Sequence, residues 1–184
     1  MDIMGKKTRL RAMEKKDCEM VCGMFNDPGI ESLVVGWAFP LSLYAQEKWF
    51  DNHFNDNTDF RFVIETEEDG AVGIATLTDI DWKNRCATHG IKLAKKEYRS
   101  KGVGTDSVMA IMRYAFDELQ LNRLDSAWLP ENVVSRGMYM KCGWIEEGTR
   151  RNYIYKNGKY NDLFIGGILA SEYYELVQKN HYWD

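Results

Sequence analysis

The sequence predicts a single α/β (α+β) domain over residues 1–184, and three observations carry this prediction. The chain is 45% hydrophobic and 28% charged, a balance that suits one globular domain with a substantial core. A strand, a glycine-containing turn and an amphipathic helix follow one another between residues 84 and 119. Asp69-Gly70 and Asn157-Gly158 each separate two strand-like segments, which indicates two β-hairpins.

The order of elements follows from periodicity and from turn-forming residues. The predicted elements are a strand (residues 8–13), a helix (15–26), a second helix (42–54), three strands (60–65, 71–80 and 84–94), a helix that follows Thr105, a strand (122–129), a helix opened by Asn132, and two strands (145–155 and 160–170). The run Asn26-Asp27-Pro28-Gly29 ends the first helix, and residues 30–40 are aromatic and irregular. Ser42 is a suitable N-cap for the second helix, which continues through Trp49, Phe50 and Phe54.

The helix after the glycine turn has the most regular pattern in the chain. Its apolar residues recur at steps of three and four, so one face is expected to be buried. They are Val108, Ile111, Met112, Ala115, Phe116 and Leu119.

The turn before this helix has the chemistry of a pyrophosphate site. Arg99, Gly102 and Gly104 stand at the spacing R-x-x-G-x-G. Such a turn leaves backbone N–H groups unpaired at the positive end of a helix dipole, where phosphate oxygens bind well. No Gly-Lys-Ser/Thr closes the loop, which excludes the nucleotide-triphosphate loop, and the glycine spacing lacks one glycine of the dinucleotide fingerprint. Coenzyme A is the remaining large ligand class, with a plain strand–helix turn as the alternative.

A second segment favours the coenzyme A site over a plain strand–helix turn. Asn132, Tyr139, Gly143 and Trp144 follow the glycine loop in order, with Asn132 suited to open a helix and Gly143 to end one. The loop and this segment together resemble the two acyl-CoA motifs of the GNAT superfamily of N-acetyltransferases, with Trp144 in place of the usual Phe. The resemblance covers residues 8 to 170. It implies a mixed, mostly antiparallel twisted sheet flanked by helices, with acetyl-CoA held at a splayed strand pair.

Composition and cysteine spacing exclude several other classes. A net charge of −4 and a pI of about 5.5 disfavour a nucleic-acid partner. The four cysteines have no Cys-x-x-Cys spacing and the three histidines are scattered, so no metal site is expected. No run approaches the roughly 20 apolar residues of a membrane span, and no signal peptide is recognisable. We expect a cytoplasmic protein, without a membrane partner and with reduced thiols.

The resemblance implies roles for two candidate catalytic residues. Tyr139 stands at the family's general acid, which protonates the departing CoA thiolate; the alternative is a packed aromatic. His89 stands where many relatives carry a Glu base, ten residues before Arg99, and a histidine can do the same work directly or through water. The alternative for His89 is a structural histidine. Glu65 and Asp79 are reserve acids for the same cleft.

The same resemblance implies the residues that hold acetyl-CoA, the expected co-substrate. Backbone groups of Leu93 and Ala94 would pair with the pantetheine arm, and Asn132 would reach the same arm. The loop would hold the pyrophosphate through Arg99, Ser100, Lys101, Gly102, Val103, Gly104 and Thr105.

The acceptor is the least determined part of the prediction. Within the superfamily, the chain is similar to the branch of ribosomal-protein N-terminal and spermidine acetyltransferases. The acceptor pocket is expected between residues 30–54 and the last hairpin, with aromatic candidates Trp37, Phe39, Tyr44 and Trp49 and an acidic candidate, Glu31. A small-molecule amine such as a polyamine or amino sugar is placed slightly ahead of a peptide N-terminus. A non-catalytic CoA-binding regulator stays open as another class, and so does a homo-oligomer.

Overall fold

The computed structural model describes residues 2–35, 39–53 and 57–184. The strands are β1 (Ile3–Met4), β2 (Arg9–Ala12), β3 (Phe60–Thr66), β4 (Gly70–Asp81), β5 (Cys86–Leu93), β6 (Arg123–Trp128), β7 (Ile145–Lys156) and β8 (Lys159–Leu169). The helices are α1 (Cys18–Phe25), α2 (Pro28–Glu31), α3 (Leu43–His53), α4 (Val103–Arg113), α5 (Val133–Lys141) and α6 (Ala170–Asn180). None of these described helices combines the length and the apolar character that crossing a membrane requires.

The strands form one eight-stranded sheet in the order β1-β2-β3-β4-β5-β6-β8-β7. Every neighbouring pair is antiparallel except β5 and β6, which run parallel. The predicted mixed, mostly antiparallel sheet is therefore confirmed, and its one parallel pair includes β5, the strand that precedes the glycine loop.

Helices cover both faces of this sheet. Val21 and Met24 of α1 pack with Ile74 of β4, whereas Met109 of α4 belongs to the larger core that includes Ala75. Because successive side chains of a strand point to opposite faces, α1 and α4 lie on opposite faces. α4 also contacts α5, which places α5 on its side of the sheet.

The predicted elements are all present, and local chemistry explains their ends. Ser42 Oγ accepts a hydrogen bond from the Ala45 N–H (3.1 Å), as expected of the N-cap of α3, whereas Phe54 lies outside the described residues. In the last hairpin, Asn157 and Gly158 both have positive φ (54° and 77°), the geometry for which an Asn-Gly turn is suited. Cys18 and Cys22 are buried free thiols on α1.

Three elements differ from the prediction. β1 and the short helix α2 were not expected, and α2 occupies part of the segment predicted to be irregular. No helix was predicted after residue 170, where α6 lies. Its buried Tyr173 packs against Phe116 with ring centroids 5.4 Å apart, and Glu172 caps it by accepting from the Leu169 N–H (2.8 Å). The chain therefore ends on a helix that closes the core beside the end of α4.

A buried carboxylate fastens the N-terminal segment to the first turn of α4. Asp106 accepts hydrogen bonds from the backbone N–H groups of Lys6, Lys7 and Thr8 at 2.8 to 2.9 Å. The Tyr182 hydroxyl near the C-terminus donates to the same carboxylate at 3.0 Å. Both ends of the chain therefore fix the start of the helix that follows the glycine loop.

Candidate active site

The parallel strands β5 and β6 separate partway along their length. They pair only through Cys86 with Arg123, Ala87 with Leu124, and Thr88 with Asp125. β5 nevertheless continues to Leu93 and β6 to Trp128. This opening, the wedge, lies between residues 89–93 and 126–128, and it is the splayed strand pair that the sequence analysis expected.

Three polar side chains meet where the wedge begins. His89 is the first residue of β5 beyond the paired register, and Ser126 is the first of β6. Tyr139 reaches the same point from α5, with its hydroxyl oxygen 2.8 Å from His89 Nδ1. Ser126 also lies close enough to Tyr139 to lower the pKa of its phenol, against the larger effect of burial. The relative exposures are 1% for His89, 2% for Tyr139 and 7% for Ser126, so the cluster is screened from bulk water.

Aromatic packing fixes the Tyr139 ring. Trp128 stacks on it with centroids 5.6 Å apart and an interplanar angle of 19°, and Trp144 meets it edge-on at 4.7 Å. Burial in these apolar surroundings raises the pKa of Tyr139, since the ionised form would lose its hydration. The same cause lowers the pKa of His89 to about 3. Both groups are therefore neutral at neutral pH, and His89 is a weaker base than its usual pKa implies.

The glycine loop has the geometry of an anion site. Gly102 is the N-cap of α4 with φ of 85°, a left-handed conformation that glycine adopts without steric cost. The first N–H of α4 with a backbone partner is that of Asp106, which donates to the Gly102 carbonyl at 2.9 Å. The N–H groups of Val103, Gly104 and Thr105 precede this bond and stand at the positive end of the helix.

Two cavities flank this loop. One, of about 400 Å³, is lined by Ser100, Gly102 and Thr105 from the loop. The other, of about 100 Å³, reaches from the loop to the wedge and is lined by Ile91, Lys92 and Asn132. Leu93, Arg99, Gly104, Val134 and Met138 line both cavities.

Helix α5 contributes residues that the sequence analysis missed. Val134, Met138 and Lys141 line the larger cavity, and their spacing of four and three places them on one helix face. Val134 is 60% exposed and Val133 is 66% exposed, so the start of α5 presents two apolar side chains to this cavity. Periodicity on α5 was the signal that could have found them.

The predicted cofactor residues are not all placed alike. Val103 is buried in the core, so only its backbone faces the anion site, and the Lys101 carbonyl accepts from Lys7 Nζ at 3.3 Å. Asn132 Oδ1 caps α5 by accepting from the Ser135 N–H (3.2 Å), and its Nδ2 donates to the Leu33 carbonyl (3.0 Å). Asn132 therefore joins α5 to the segment after α2 that covers the smaller cavity.

The backbone polar groups of Leu93 and Ala94 point in opposite directions. The Ala94 N–H donates to the Val72 carbonyl of β4 at 2.8 Å, so this donor is engaged within the sheet. Leu93 and Ile91 lie opposite Gly73 and Ala75. Because antiparallel residues alternate between facing their partner strand and facing away from it, the polar groups of Leu93 and Ile91 point toward the wedge. Ile91, rather than Ala94, therefore shares with Leu93 the backbone orientation that the predicted pairing with pantetheine requires.

The prediction that Glu65 and Asp79 are reserve acids for the same cleft is wrong. Glu65 lies on β3, beyond β4 from the wedge, and its carboxylate binds Arg11 at 2.7 Å and also Arg9. A hydrogen bond from Arg9 is the main cause that lowers the pKa of Glu65. Asp79 is exposed in a bulge of β4 with φ of 52°. Neither residue lines a cavity beside the wedge.

A larger cavity of about 710 Å³ lies between the segment around α2 and the last hairpin, the two regions from which an acceptor pocket was expected. Phe39 and Glu31 line it together with Tyr155 and Lys156. Lys156 Nζ binds Glu31 Oε1 and the Val34 carbonyl, each at 2.8 Å, so the Glu31 charge is already paired.

The other aromatic candidates lie elsewhere. Tyr44 is 66% exposed on α3, and Trp49 lies over Arg61 and lines a separate cavity of about 190 Å³. Trp37 lies outside the described residues. Within the described ranges, no group of three or more His, Cys, Asp or Glu side chains has a metal-binding arrangement.

Comparison with known proteins agrees with this geometry. The family model of the acetyltransferase (GNAT) domain matches residues 7–145. Spermidine N(1)-acetyltransferase of Vibrio cholerae is 28% identical over 171 residues, which cover 92% of this chain and 97% of that one. A putative ribosomal N-acetyltransferase of Bacillus subtilis is 36% identical over 106 residues, 57% of each chain.

A solved structure extends the likeness to three dimensions. The crystal structure of the Vibrio cholerae spermidine N-acetyltransferase in complex with CoA and spermine superposes with a TM-score of 0.86 at 27% identity. The match covers 91% of this chain and 98% of that chain. The chain belongs to the GNAT family of acetyltransferases.

Proposed function

We propose that the protein transfers the acetyl group of acetyl-CoA to a primary amine of a small molecule, with a polyamine as the first candidate. The observation that carries this proposal is the position of the Tyr139 hydroxyl, buried at the start of the wedge. The glycine loop lies at the other end of the same strand, β5. Leu93 and His89 are four residues apart, roughly 13 Å at the rise of an extended strand. The Tyr139 hydroxyl and the glycine loop are therefore placed to contact opposite ends of one extended ligand that lies along β5.

The residues present fit acetyl-CoA. The first N–H groups of α4 and the left-handed Gly102 form an anion cradle, and the Arg99 side chain stands between the two flanking cavities. Lys141 and Thr105 offer polar groups to the ligand in the cavity of about 400 Å³ beside the loop. We assign the backbone groups of Leu93 and Ile91 to the pantetheine arm, which would lie along β5 as an added strand lies along a sheet edge.

Acetyl-CoA, when bound, supplies an acyl carbon activated by its bond to sulfur. An amine that attacks this carbon must be neutral, and the departing sulfur gains from a proton donor. Tyr139 keeps its proton at neutral pH because burial raises its pKa, which suits it to act as that donor. We assign Tyr139 as the general acid. His89 does not suit the role of base, since its ring is buried and its pKa is lowered to about 3.

The acceptor would occupy the 710 Å³ cavity. Glu31 and Lys156 neutralise each other, so the cavity offers a cationic amine aromatic faces rather than a free carboxylate. Its size and mixed lining suit a compact amine. Similarity to spermidine acetyltransferases over nine-tenths of the chain supports a polyamine. The likeness to the putative ribosomal acetyltransferase, which spans 57% of the chain, favours a protein N-terminus as the second candidate.

The state of the cysteines bears on where the protein works. Its four free cysteines support a reducing compartment, the cytoplasm.

A panel of amines tests the acceptor class. We expect CoA thiol release with spermidine, spermine or an amino sugar, and none with a lysine-rich histone peptide. Phe39→Ala should raise the KM for the amine while leaving the KM for acetyl-CoA unchanged, because Phe39 lines only the acceptor cavity. Tyr44→Ala is the matched control, because Tyr44 is a similarly exposed aromatic that lines none of the cavities described above (66%, against 76% for Phe39).

The outcomes of the panel separate the candidates. Turnover of an N-terminal peptide alone would establish the second candidate and refute the first. Turnover of the histone peptide, with none on small amines or N-terminal peptides, would contradict both.

A further inference from the structure

We propose that His89 and Ser126 are positioning residues that hold the Tyr139 hydroxyl at the start of the wedge and donate hydrogen bonds to its oxygen as its proton leaves. The inference rests on the proposed function and deepens it. It gives His89 a role other than the base predicted from the sequence, and it gives a role to Ser126, which the sequence analysis did not consider.

The strand register brings these two residues to one point. Thr88 and Asp125 are the last paired residues of β5 and β6, so His89 and Ser126 are the first residue on each side of the wedge. Ser126 points to the same side of the sheet as Leu124 and Trp128, the side on which α5 carries Tyr139. The Tyr139 hydroxyl therefore lies where the two strands part, bonded to His89 on one strand and near Ser126 on the other.

The hydrogen-bond partners of His89 indicate which nitrogen carries the proton. Nδ1 lies 2.8 Å from the Tyr139 oxygen, while Nε2 is buried and has no hydrogen-bond partner. A buried N–H without a partner is rarer than a buried acceptor without one. Placing the single proton of the neutral ring on Nδ1 avoids an orphaned N–H at Nε2. Nδ1–H then donates to the Tyr139 oxygen and leaves the phenol proton free to point into the wedge.

Ser126 provides the second donor. Its side chain points to the side of the sheet on which Tyr139 lies, and it opposes the effect of burial on the pKa of the phenol, as expected of a hydroxyl placed to donate to a phenolate. The Trp128 and Trp144 rings that pack on Tyr139 supply no charge. In such surroundings a phenolate depends on these two hydrogen bonds, because an unpaired buried charge is costly.

The step balances as follows. The amine nitrogen bonds to the acyl carbon, the carbon–sulfur bond breaks, and the sulfur takes the phenol proton from Tyr139. The new amide nitrogen releases one proton to water, and Tyr139 recovers one from water. The net products are the N-acetyl amine and the CoA thiol, and the phenolate exists only between these two transfers.

An isosteric pair of variants tests the role of His89. His89→Asn places an amide near the position of Nδ1, and His89→Leu places a methyl group there. We expect His89→Leu to lower kcat by about 10- to 100-fold, the value of one hydrogen bond to a developing charge. The KM for acetyl-CoA should stay within about twofold, and His89→Asn should recover most of the loss. Ser126→Ala should behave like His89→Leu, and its smaller change of volume covers the case in which His89→Leu does not fold.

The discriminating readout is a double-mutant cycle with Tyr139→Phe. If His89 and Ser126 act through the phenol oxygen, their substitutions should cause no further loss of kcat in the Tyr139→Phe background. Equal losses in both backgrounds, or equal losses in His89→Leu and His89→Asn, would show a merely structural role. A wild-type enzyme that releases no thiol with any amine would instead refute the proposed function, so the two failures are distinguishable.

Discussion

Replacing Tyr139 with phenylalanine is expected to lower kcat by about 10²- to 10⁴-fold while CoA affinity stays nearly intact. The ring keeps its stacking on Trp128 and its edge contact with Trp144, so the substitution removes only the hydroxyl. That hydroxyl is the proton donor assigned to the departing thiolate, and no other hydroxyl aromatic lies at the start of the wedge among the described residues. Steady-state kinetics with one amine and calorimetry with CoA measure the two quantities separately.

Tyr173→Phe is the matched control for this prediction. Tyr173 is also fully buried, and its hydroxyl accepts a hydrogen bond from Trp183 Nε1 at 2.8 Å, but it lies on α6 away from the wedge. Its loss should lower the melting temperature without changing kcat. A wild-type kcat in Tyr139→Phe would return Tyr139 to a packing role.

The second large effect is expected at the glycine loop. Gly104→Val should weaken CoA binding by at least about tenfold, the value of one lost hydrogen bond to a charged phosphate. A Cβ at this position would lie 2.8 Å from Met138 Sδ, and the displaced Met138 side chain would enter the cavity that leads to the wedge. The branched side chain would also crowd the N–H groups at the start of α4.

Gly23→Val provides the control for Gly104→Val. Gly23 lies within a helix, α1, is exposed, and has open space where a Cβ would be built. The same change of side chain on this helix should leave CoA affinity unchanged. Calorimetry that finds equal affinity in Gly104→Val and wild type would contradict the assignment of the loop to the pyrophosphate.

Local chemistry made most of the fold predictable. The Asn-Gly and Asp-Gly turns, the N-cap Ser42 and the periodic face of α4 each depend on residues close in sequence. The end of the chain was missed because α6 is stabilised by distant contacts, such as that between Tyr173 and Phe116. The clamp of Asp106 on Thr8 joins residues 98 positions apart, and no local pattern indicates it.

In the candidate site, too, the features that depend on residues close in sequence were predictable, and those that depend on distant contacts were not. The glycine loop and the helix opened by Asn132 were visible as motifs. The contact of His89 with Tyr139 was not visible, because the face of β5 on which a residue lies depends on strand register and the two residues are 50 positions apart. The backbone groups of Ile91 and Ala94 point in opposite directions because they alternate along β5. The distance of these residues from Arg99 in the sequence does not show which of them point toward the wedge.

The most direct test of the central claim is the fate of a labelled acetyl group. Wild-type protein is incubated with acetyl-CoA labelled in the acetyl carbons and with spermidine, and the small-molecule fraction is analysed by mass spectrometry while free thiol is titrated. Acetyl-CoA-dependent transfer to a small amine should yield labelled N-acetyl product and CoA thiol in equal amounts, and much less of both in Tyr139→Phe. Tight CoA binding with no labelled product from spermidine or any other amine would contradict the claim and identify a CoA-binding regulator instead.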